Sequence, residues 1–244
     1  MLEQCFHGFE SRTRSYDSRR TVNAWIRRAW TAERLAGKLA WRALGHGNEV
    51  LRPRGCHGIK PGYHHARFAI AFDDTPNQDQ WQREVYELAA TFEPSSVIDV
   101  GCGSAFKLLQ HFAQRDTLGI EIGRTLRWLR ATHPERRWAE FDPLKARELD
   151  ADLVICADVI EHVANPDAML EFLTTMSWQT LVLSTPDRDL VAGTNDWGPP
   201  GNPAHYREWS AHEMRKYVER WIPIESQRVV GSTQILIARR SNAD

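Results

Sequence analysis

Long apolar runs and closely spaced cysteines are missing from this 244-residue sequence. No hydrophobic run approaches the roughly 20 residues that are needed to cross a bilayer, and the opening MLEQCFHGFESRTRS has no apolar signal core. The four cysteines, Cys5, Cys56, Cys102 and Cys156, include no CxxC pair, so we expect small buried thiols rather than a cysteine metal site. A cytoplasmic protein is the default expectation.

Net charge is almost absent, at −1, but it is unevenly distributed. Residues 1–60 hold 12 Lys and Arg against 5 Asp and Glu, a balance of +7 that leaves −8 for residues 61–244. Such a basic segment can bind an anionic partner, make weak contact with a membrane surface, or simply solvate a helix face. The solvated face is favoured, and the other two interpretations stay open.

The basic segment has a helical pattern of its own. Apolar residues in TVNAWIRRAWTAERLAGKLAWRAL, residues 21–44, recur at helical spacing, which predicts one or two amphipathic helices. Residues 45–62 are rich in Gly and Pro, which is typical of a loop. Another helix is predicted over 78–92, before Pro94. We therefore expect a helical N-terminal extension, residues 1–77, and a main domain, residues 78–244.

Strands and helices alternate beyond residue 96. SVIDVG, TLGIEI, RRWAEF, ADLVICAD and TLVLSTPD are predicted strands, and segments such as SAFKLLQHFA and DAMLEFLTTM are predicted helices between them. This alternation predicts an α/β fold, a parallel sheet with helices on both faces. The runs IPIESQRVV and STQILIARR are too close together for a parallel crossover, so we expect a C-terminal antiparallel hairpin.

The loop in SVIDVGCGSAF, residues 96–106, carries close glycines but lacks two features of phosphate-binding loops. A dinucleotide-binding loop has a third glycine where this chain has Phe106, and a P-loop continues into Gly-Lys-Ser/Thr, which does not follow here. Asp99 would also repel a pyrophosphate. A ligand with a positive centre suits the loop better, and Gly101 and Gly103 would let the backbone approach it.

Acids stand at the ends of three consecutive predicted strands. Asp99 lies in the first strand, and Glu121 ends the second 22 residues later, the distance at which an acid binds a ribose diol. Asp142 closes the third in EFDP. Because the carboxyl ends of parallel strands lie along one edge of a sheet, where ligands bind, we expect the three acids to share a site.

Together these motifs resemble the class I S-adenosylmethionine-dependent methyltransferases over residues 78–240. VIDVGCGSAF is similar to the first motif of that family, GIEIG to the second, EFDP to the third and DLVICADVIEHVANPDAML to the fourth. The fourth motif and NPAHYREWSAHEMRKYV resemble a subgroup that acts on small molecules. The resemblance implies a Rossmann-like, seven-stranded, mostly parallel sheet whose last strand is antiparallel, and S-adenosylmethionine as cofactor and methyl donor.

Positions at the methionine end of the donor follow from the same resemblance. It implies that Asp99, Gly101 and Gly103 line this end and that Asp158 lies beneath the sulfonium. The family usually has glycine where this chain has Ala105, so we expect a slightly altered loop, which is strained if Ala105 requires a positive φ.

The adenosine end is assigned in the same way. The resemblance implies that Glu121 binds both ribose hydroxyls, that Ile122 packs on adenine, and that Asp142 accepts a hydrogen bond from the adenine amino group.

Methyl transfer from a sulfonium is an in-line displacement, in which the enzyme mainly aligns the reacting atoms and excludes water. A hydroxyl acceptor also needs a general base, and histidine suits this role near neutral pH. His205 and His162 are the candidate catalytic residues, with bracing of nearby backbone as the alternative for each. The candidate acceptor contacts are Tyr63, Tyr206 and Arg207.

Asp158, Glu161 and His162 have the i, i+3, i+4 spacing with which a helical turn could hold a divalent cation. Glu161 would equally stabilise a helix N-terminus as a first-turn acid, so a metal is not favoured. Arg207 is expected to bind an anionic group of the acceptor or to pair with Glu208.

The sequence limits the acceptor only broadly. AFDDTPNQDQWQREVYE resembles methyltransferases of sugar and surface-glycan biosynthesis, which favours O-methylation of a sugar, a glycan precursor or a natural-product hydroxyl. A silent partner protein with this fold is an alternative, against which the intact Glu121, Asp158 and His205 stand. A nucleic-acid methyltransferase is another, but the fourth motif lacks the Asn/Asp-Pro-Pro-aromatic signature used on flipped-out bases. We expect a small-molecule acceptor and no nucleic acid.

Overall fold

The computed structural model describes residues 80–194, 200–202 and 204–240. These ranges include the strands and helices predicted from residue 80 onward. The helices predicted within residues 21–44, the domain boundary at residue 77, and Tyr63 lie outside them.

Seven strands and six α-helices form the described part of the chain. The strands are β1 Ser96–Val100, β2 Asp116–Glu121, β3 Arg137–Glu140, β4 Asp150–Ala157, β5 Ser177–Pro186, β6 Ser226–Val230 and β7 Thr233–Arg239. The helices are α1 Gln80–Ala90, α2 Phe106–Phe112, α3 Gly123–Thr132, α4 Pro166–Thr175, α5 Arg188–Ala192 and α6 Ala211–Val218. Short 3-10 helices lie at Pro143–Glu148 and Ile160–His162.

The strands form one sheet in the order β3-β2-β1-β4-β5-β7-β6. The first five strands pair in parallel, and β7 is antiparallel to both β5 and β6. The β6–β7 turn contains Gly231 at a φ of 59°, a conformation that glycine adopts without steric cost. The Rossmann-like, mostly parallel sheet and its C-terminal hairpin are therefore confirmed.

The two faces of the sheet carry separate apolar cores. Along β1, Val97 belongs to one core, whereas Ile98 and Val100 belong to the other, as expected for side chains that alternate across a strand. Helices α1 and α2 contribute to the first core, and α4 and α6 contribute to the second. Full burial of one Val or Leu side chain contributes roughly 1.5–3 kcal/mol, so both layers of helices stabilise the sheet.

Strand β1 is the point at which the strand order reverses. β2 pairs with one side of β1, with Val100 opposite Ile120, and β4 pairs with the other side, with Asp99 opposite Ile155. Ligands bind at the carboxyl ends of strands at such a reversal. The loops after β1, β2 and β4 therefore surround one candidate site.

The segment that precedes α6 is anchored where it enters the helix. Ser210 accepts a hydrogen bond from the backbone N–H of Glu213, and the Glu213 carboxylate accepts one from the N–H of Ser210, which completes a capping box. Trp209 is almost fully buried and stacks on Tyr217 at 5.7 Å between ring centroids. The residues immediately before Trp209 are thereby held against the edge of the sheet.

Two of the four cysteines lie within the described residues. Cys102 and Cys156 are buried, unpaired thiols, as predicted, whereas Cys5 and Cys56 lie outside the described ranges. Among the helices of the described ranges, none has the length and apolar character that a bilayer crossing requires.

Candidate functional site

The glycines after β1 make a turn that a larger residue would disrupt. Gly101 and Gly103 have φ values of 76° and 57°, and the Gly101 N–H donates to the Ile120 carbonyl at 2.8 Å. A Cβ atom on Gly101 would lie 2.5 Å from Cγ2 of Val159. The close approach between the β1 and β4 loops therefore requires glycine at position 101.

Ala105 adopts the left-handed conformation for which the sequence predicted strain. Its φ is 58° and its ψ is 13°, and the residue is fully buried directly before α2. A non-glycine residue in this region costs about 1–2 kcal/mol. Ala105 occupies a position where class I methyltransferases usually have glycine, and its left-handed conformation strains the loop locally.

Glu121 connects the ends of β1 and β2. Its Oε1 accepts a hydrogen bond from the Gly103 N–H and its Oε2 accepts one from the Ile122 N–H, both at 2.9 Å. Burial raises the pKa of Glu121, and the two backbone hydrogen bonds oppose this change. Glu121 ends β2, as the sequence predicted, and its carboxylate joins this strand end to the loop after β1.

Two more predicted donor contacts lie beyond β2 and β3. Ile122 is a large apolar side chain that is 49% exposed, so it offers a surface to a planar ring. Asp142 lies two residues beyond β3, where its carboxylate accepts the N–H of Leu144 at 3.0 Å and caps the 3-10 helix.

Asp99 is a completely buried carboxyl group. Its Oδ2 accepts a 2.7 Å hydrogen bond from the Tyr86 hydroxyl, whereas Oδ1 is buried with no hydrogen-bond partner among the described residues. Burial, with a smaller contribution from the charge of Glu121, raises the pKa of Asp99 from 3.8 to about 7. This carboxyl therefore has one oxygen, Oδ1, whose capacity to accept a hydrogen bond is not used by the described residues.

Asp158 follows β4 with a φ of 53°. Its Oδ1 accepts a 2.8 Å hydrogen bond from the Ser184 hydroxyl on the neighbouring strand β5. The helical turn that could have joined Asp158 to Glu161 and His162 does not form, because the chain turns at Asp158 and only Ile160–His162 are helical, as a 3-10 turn. Asp158 still lies at the carboxyl edge of the sheet.

His162 and His205 lie together although 42 residues separate them in the sequence. Their ring centroids are 4.8 Å apart in an edge-on arrangement. Nδ1 of His162 donates to the Ala204 carbonyl at 2.8 Å, and the Tyr206 N–H donates to the Glu161 carbonyl at 2.8 Å. These two hydrogen bonds hold the segment before α6 against the 3-10 turn after β4.

Hydrogen bonds fix the tautomer of His205. Its Nδ1 donates to Oε1 of Glu208 at 2.6 Å, and its Nε2 accepts from the Asn202 amide at 3.0 Å. The orientation of that amide is set by its oxygen, which accepts the Ala204 N–H at 2.9 Å. These contacts correspond to the tautomer with the proton on Nδ1 and the acceptor lone pair on Nε2, an arrangement in which a buried carboxylate orients an imidazole.

Glu161 places a second carboxylate beside these imidazoles. It is fully buried, and its Oε2 accepts a 3.0 Å hydrogen bond from Thr185. In the part of the chain that the structure describes, Oε1 has no hydrogen-bond partner, and it lies 4.0 Å from Nε2 of His162. Burial first, and then the negative charge of Asp158, raise the pKa of Glu161.

One atom each from Glu161, His162 and His205 falls within a common distance of 4.8 Å. Two imidazoles and a carboxylate at this separation can share a proton, contact an acceptor, or ligate a cation. His205 was not part of the cation cluster predicted from spacing, and Asp158 was.

The two predicted acceptor contacts in this segment have different environments. Tyr206 is half-buried, and its backbone is bound to Glu161. Arg207 is half-buried with its Nε unpaired among the described residues, whereas Glu208 binds His205. The expected pairing of Arg207 with Glu208 is therefore replaced by the contact between Glu208 and His205.

Three side chains that form hydrogen bonds with the candidate site residues were not predicted from the sequence. Tyr86 reaches Asp99 from α1, Glu208 orients His205, and Thr185 binds Glu161. Of these three, only Glu208 could have been predicted from the sequence, because a glutamate three residues after a candidate histidine can contact that histidine across a turn.

The sheet order, the glycine turn and the strand-end acids define the S-adenosylmethionine-dependent methyltransferase fold. The chain belongs to this family, since the family model described as a methyltransferase domain matches residues 74–221. S-adenosylmethionine is accordingly its cofactor. No match was found among curated proteins.

Solved structures with a similar fold share little sequence with this chain. A protein from Pyrococcus horikoshii OT3 is 16% identical, with a TM-score of 0.52, over 75% of this chain and 100% of its own. An O-methyltransferase family protein from Burkholderia thailandensis is 19% identical, with a TM-score of 0.48, over 68% of this chain and 57% of its own. The present chain thus spans little more than half the length of the Burkholderia protein.

A third similar structure was solved with bound S-adenosylhomocysteine. It is the magnesium protoporphyrin IX methyltransferase of Synechocystis PCC 6803, which is 19% identical, with a TM-score of 0.47, over 66% of this chain and 84% of its own.

Proposed function

We propose that this protein transfers the methyl group of S-adenosylmethionine to a hydroxyl of a small polar acceptor, such as a sugar, a glycan precursor or a natural product. The observation that carries the proposal is the buried pair of His205 and Glu208, 2.6 Å apart, beside His162 at the carboxyl edge of the sheet. Hydroxyl acceptors need such a group because a neutral hydroxyl is a weak nucleophile.

The donor would lie along the edge formed by β1, β2 and β3. Asp99, Gly101 and Gly103 are proposed to line its methionine end, where the buried Asp99 suits a positive amino group. Glu121 is proposed to bind the ribose hydroxyls, as its place at the end of β2 supports.

The rest of the donor would be held by residues on either side. Ile122 is proposed to pack on adenine and Asp142 to accept from its amino group. Asp158 would lie beneath the sulfonium, at the end of β4 next to the two histidines. This placement would bring the methyl group near the imidazoles.

The acceptor oxygen would approach between the methyl group and His205. Nε2 of His205 bears the acceptor lone pair and receives the Asn202 amide N–H in the absence of substrates. The acceptor hydroxyl would replace that amide and give its proton to Nε2 as the oxygen attacks carbon and the C–S bond breaks. Tyr206 and Arg207 are proposed acceptor contacts, since both lie in the segment that bears His205. Tyr63 is proposed to join them from the N-terminal extension.

The experiment that tests this proposal is an acceptor screen with the purified full chain. Nucleotide sugars, free glycosides and small phenols are incubated with the donor, and released S-adenosylhomocysteine is measured together with the mass of the product. Methylation confined to amines, or to a nucleic acid added in parallel, would contradict a hydroxyl acceptor.

On an acceptor found in the screen, His205→Ala should reduce kcat by roughly a hundredfold or more, the loss typical of removing a general base, while donor affinity changes little. His212→Ala on the exposed face of α6 is the matched control and should retain wild-type kcat. His162→Ala separates the alternatives for His162, because a purely bracing histidine would lower the melting temperature before it lowers kcat.

A further inference from the structure

A hydrogen bond between Tyr86 and Asp99 connects α1 to strand β1, two residues before the glycine turn. The Tyr86 hydroxyl donates to Oδ2 of Asp99 at 2.7 Å, and both side chains are buried. We propose that Tyr86 is a positioning residue for the methyl donor, because its hydroxyl occupies one oxygen of Asp99 and leaves the other, Oδ1, for the ammonium group of the donor. The inference rests on the proposed function, which places the methionine end of the donor at Asp99.

Packing of α1 fixes the position of the Tyr86 hydroxyl. Val85 and Ala89 on the same helix are fully buried in the core between α1, α2 and the sheet. The Gln82 amide also donates to the Ala157 carbonyl at the end of β4, at 3.4 Å. A phenylalanine at position 86 would fill the same space, so packing does not require the hydroxyl. Because a buried hydroxyl costs free energy unless it is hydrogen-bonded, the contact with Asp99 is what compensates for its burial.

The two oxygens of Asp99 have different environments. Oδ2 accepts from Tyr86, whereas Oδ1 is buried and has no hydrogen-bond partner among the described residues. Burial raises the pKa of Tyr86, so its hydroxyl keeps its proton and acts on Asp99 as a donor. A proton on Asp99 is therefore held by Oδ1, the same atom that the ammonium group of the donor would contact.

Several titratable and charged groups act on this pair. Burial raises the pKa of Asp99, and the hydrogen bond from Tyr86, the next largest effect, lowers it. Glu121 at the end of β2 raises the same pKa, and Lys107 on α2 lowers it. The remaining groups are Asp158 after β4, which acts on Tyr86, and the buried thiols of Cys102 and Cys156. Tyr86 is the group for which the structure shows a hydrogen bond to Asp99, so its hydroxyl is the one to remove.

Donor binding is then accompanied by release of a proton. Because the pKa of Asp99 is about 7, about half of the unliganded molecules hold a proton on Asp99 at pH 7. That proton leaves Oδ1 for the solvent when the ammonium group pairs with the carboxylate. Without the Tyr86 hydroxyl the carboxylate loses a stabilising hydrogen bond, so the pKa of Asp99 rises and more molecules must release a proton. The role of Tyr86 is therefore measurable as a change in the pH dependence of donor binding.

The test is calorimetric titration of the full chain with S-adenosylhomocysteine between pH 6 and pH 9. Tyr86→Phe should weaken binding about tenfold at pH 6, the factor that corresponds to the lower end of the range for hydrogen bonds to charged groups. The affinities of the variant and the wild type should converge to within about twofold by pH 9. Titrations at pH 7 in buffers of different ionisation enthalpy should show about half a proton released by the wild type and a larger fraction by the variant.

Two controls separate positioning of Asp99 from a general effect on folding. The ligand 5′-methylthioadenosine lacks the amino group and the carboxylate of S-adenosylhomocysteine, so Tyr86→Phe should bind it as the wild type does. Tyr217→Phe is the matched variant, because the Tyr217 hydroxyl on α6 donates to Asp167 on α4 at 2.6 Å. This variant loses the same kind of hydrogen bond elsewhere in the fold, and its affinity for S-adenosylhomocysteine should match that of the wild type at every pH.

The outcomes distinguish this inference from the proposed function. Equal S-adenosylhomocysteine affinity of Tyr86→Phe and the wild type at pH 6 overturns the positioning role, and so does an equal loss of affinity for 5′-methylthioadenosine. Asp99→Asn should weaken S-adenosylhomocysteine binding at least about tenfold at pH 8. If it does not, the methionine end does not lie at Asp99, and the role of Tyr86 is wrong as well. These titrations contain no acceptor, so failure to methylate any hydroxyl would contradict the proposed reaction and leave the role of Tyr86 supported.

Discussion

The burial of Asp99 disfavours the charged form of its carboxyl group. Asp99 is completely buried, and the Tyr86 hydroxyl is the one side-chain donor that the described residues direct at it. A donor carrying a positive amino group would favour its ionised form, so the same burial that destabilises the empty protein would strengthen binding. We therefore expect donor affinity to increase as pH rises through 7, where Asp99 loses its proton.

Asp99→Asn should change how stability depends on pH. The pKa of Asp99 is about 7 in the folded protein, against 3.8 for the same group in an unfolded chain. Between these pH values folded Asp99 holds a proton that the unfolded chain has released, so the contribution of Asp99 to the free energy of unfolding falls as pH rises. The variant should therefore be more stable than the wild type above pH 7, by on the order of 4 kcal/mol, while the difference narrows toward pH 4. Urea unfolding at pH 5, 6, 7 and 8 measures it, and parallel pH profiles for the two proteins would contradict the assignment.

Glu121→Ala should weaken binding of the donor at least about tenfold. Hydrogen bonds to a charged group are worth roughly 1.5–3 kcal/mol each, and the proposed ribose contact has two. Glu140→Ala is the matched control, because Glu140 lies opposite Glu121 on β3 and is exposed. Calorimetry with S-adenosylhomocysteine gives both affinities, and equal binding by the two variants would show that Glu121 does not hold the ribose.

At the scale of elements, the β1 loop and the β4 loop are coupled through one steric contact. Gly101→Ala places a methyl group 2.5 Å from Cγ2 of Val159 at a φ of 76°. Overpacking and left-handed strain together should lower the free energy of unfolding by roughly 2–4 kcal/mol. The double variant Gly101→Ala, Val159→Ala should recover the steric part only, which urea unfolding of the four proteins in the cycle would measure. If the losses of unfolding free energy in the two single variants simply add in the double variant, Val159 is not the side chain that clashes with a methyl group at position 101.

The strands and their order follow from the sequence because burial on both faces leaves a continuous apolar run. ADLVICAD matches β4 Asp150–Ala157 almost residue for residue, and the short link at Gly231 correctly predicts the hairpin. Sheet pairing then places Asp99 and Glu121 on neighbouring strands at one edge. These parts of the site were predictable because period and topology determine them.

The histidine pair was not predictable in the same way. His205 lies in a segment with no period, and its position depends on two backbone hydrogen bonds, from His162 to Ala204 and from Tyr206 to Glu161. From the sequence, Glu208 was a possible ion-pair partner of Arg207. The structure shows that Glu208 instead accepts a hydrogen bond from His205. Loop contacts of this kind depend on geometry that composition and spacing do not encode.

At the scale of the whole molecule, basic and acidic residues are concentrated in different parts of the chain. Acidic residues, among them Asp99, Glu121 and Asp158, lie in or directly after strands β1, β2 and β4, while residues 1–60 carry +7. The family match begins only at residue 74. A separate role for the preceding segment is therefore a proposal in its own right.

We propose that residues 1–77 help to enclose the donor and the acceptor. A reactive sulfonium needs an apolar cover that keeps water out, and Tyr63, Phe68 and Phe72 offer apolar rings ahead of the sheet. The alternative is that the basic segment binds an anionic surface, in which case its removal would leave catalysis on a dissolved acceptor unchanged.

A chain that begins at Gln78 should separate these two roles. It retains the seven strands that the structure describes and the acids at their ends, so it should fold and bind S-adenosylhomocysteine measurably, while its kcat/KM on the acceptor found for the full chain should fall sharply. Circular dichroism, calorimetry and product release measure the three properties. Full activity of the shortened chain would contradict the enclosing role. The surface role would be contradicted instead if the full chain fails to bind anionic vesicles at low salt, where screening is weakest.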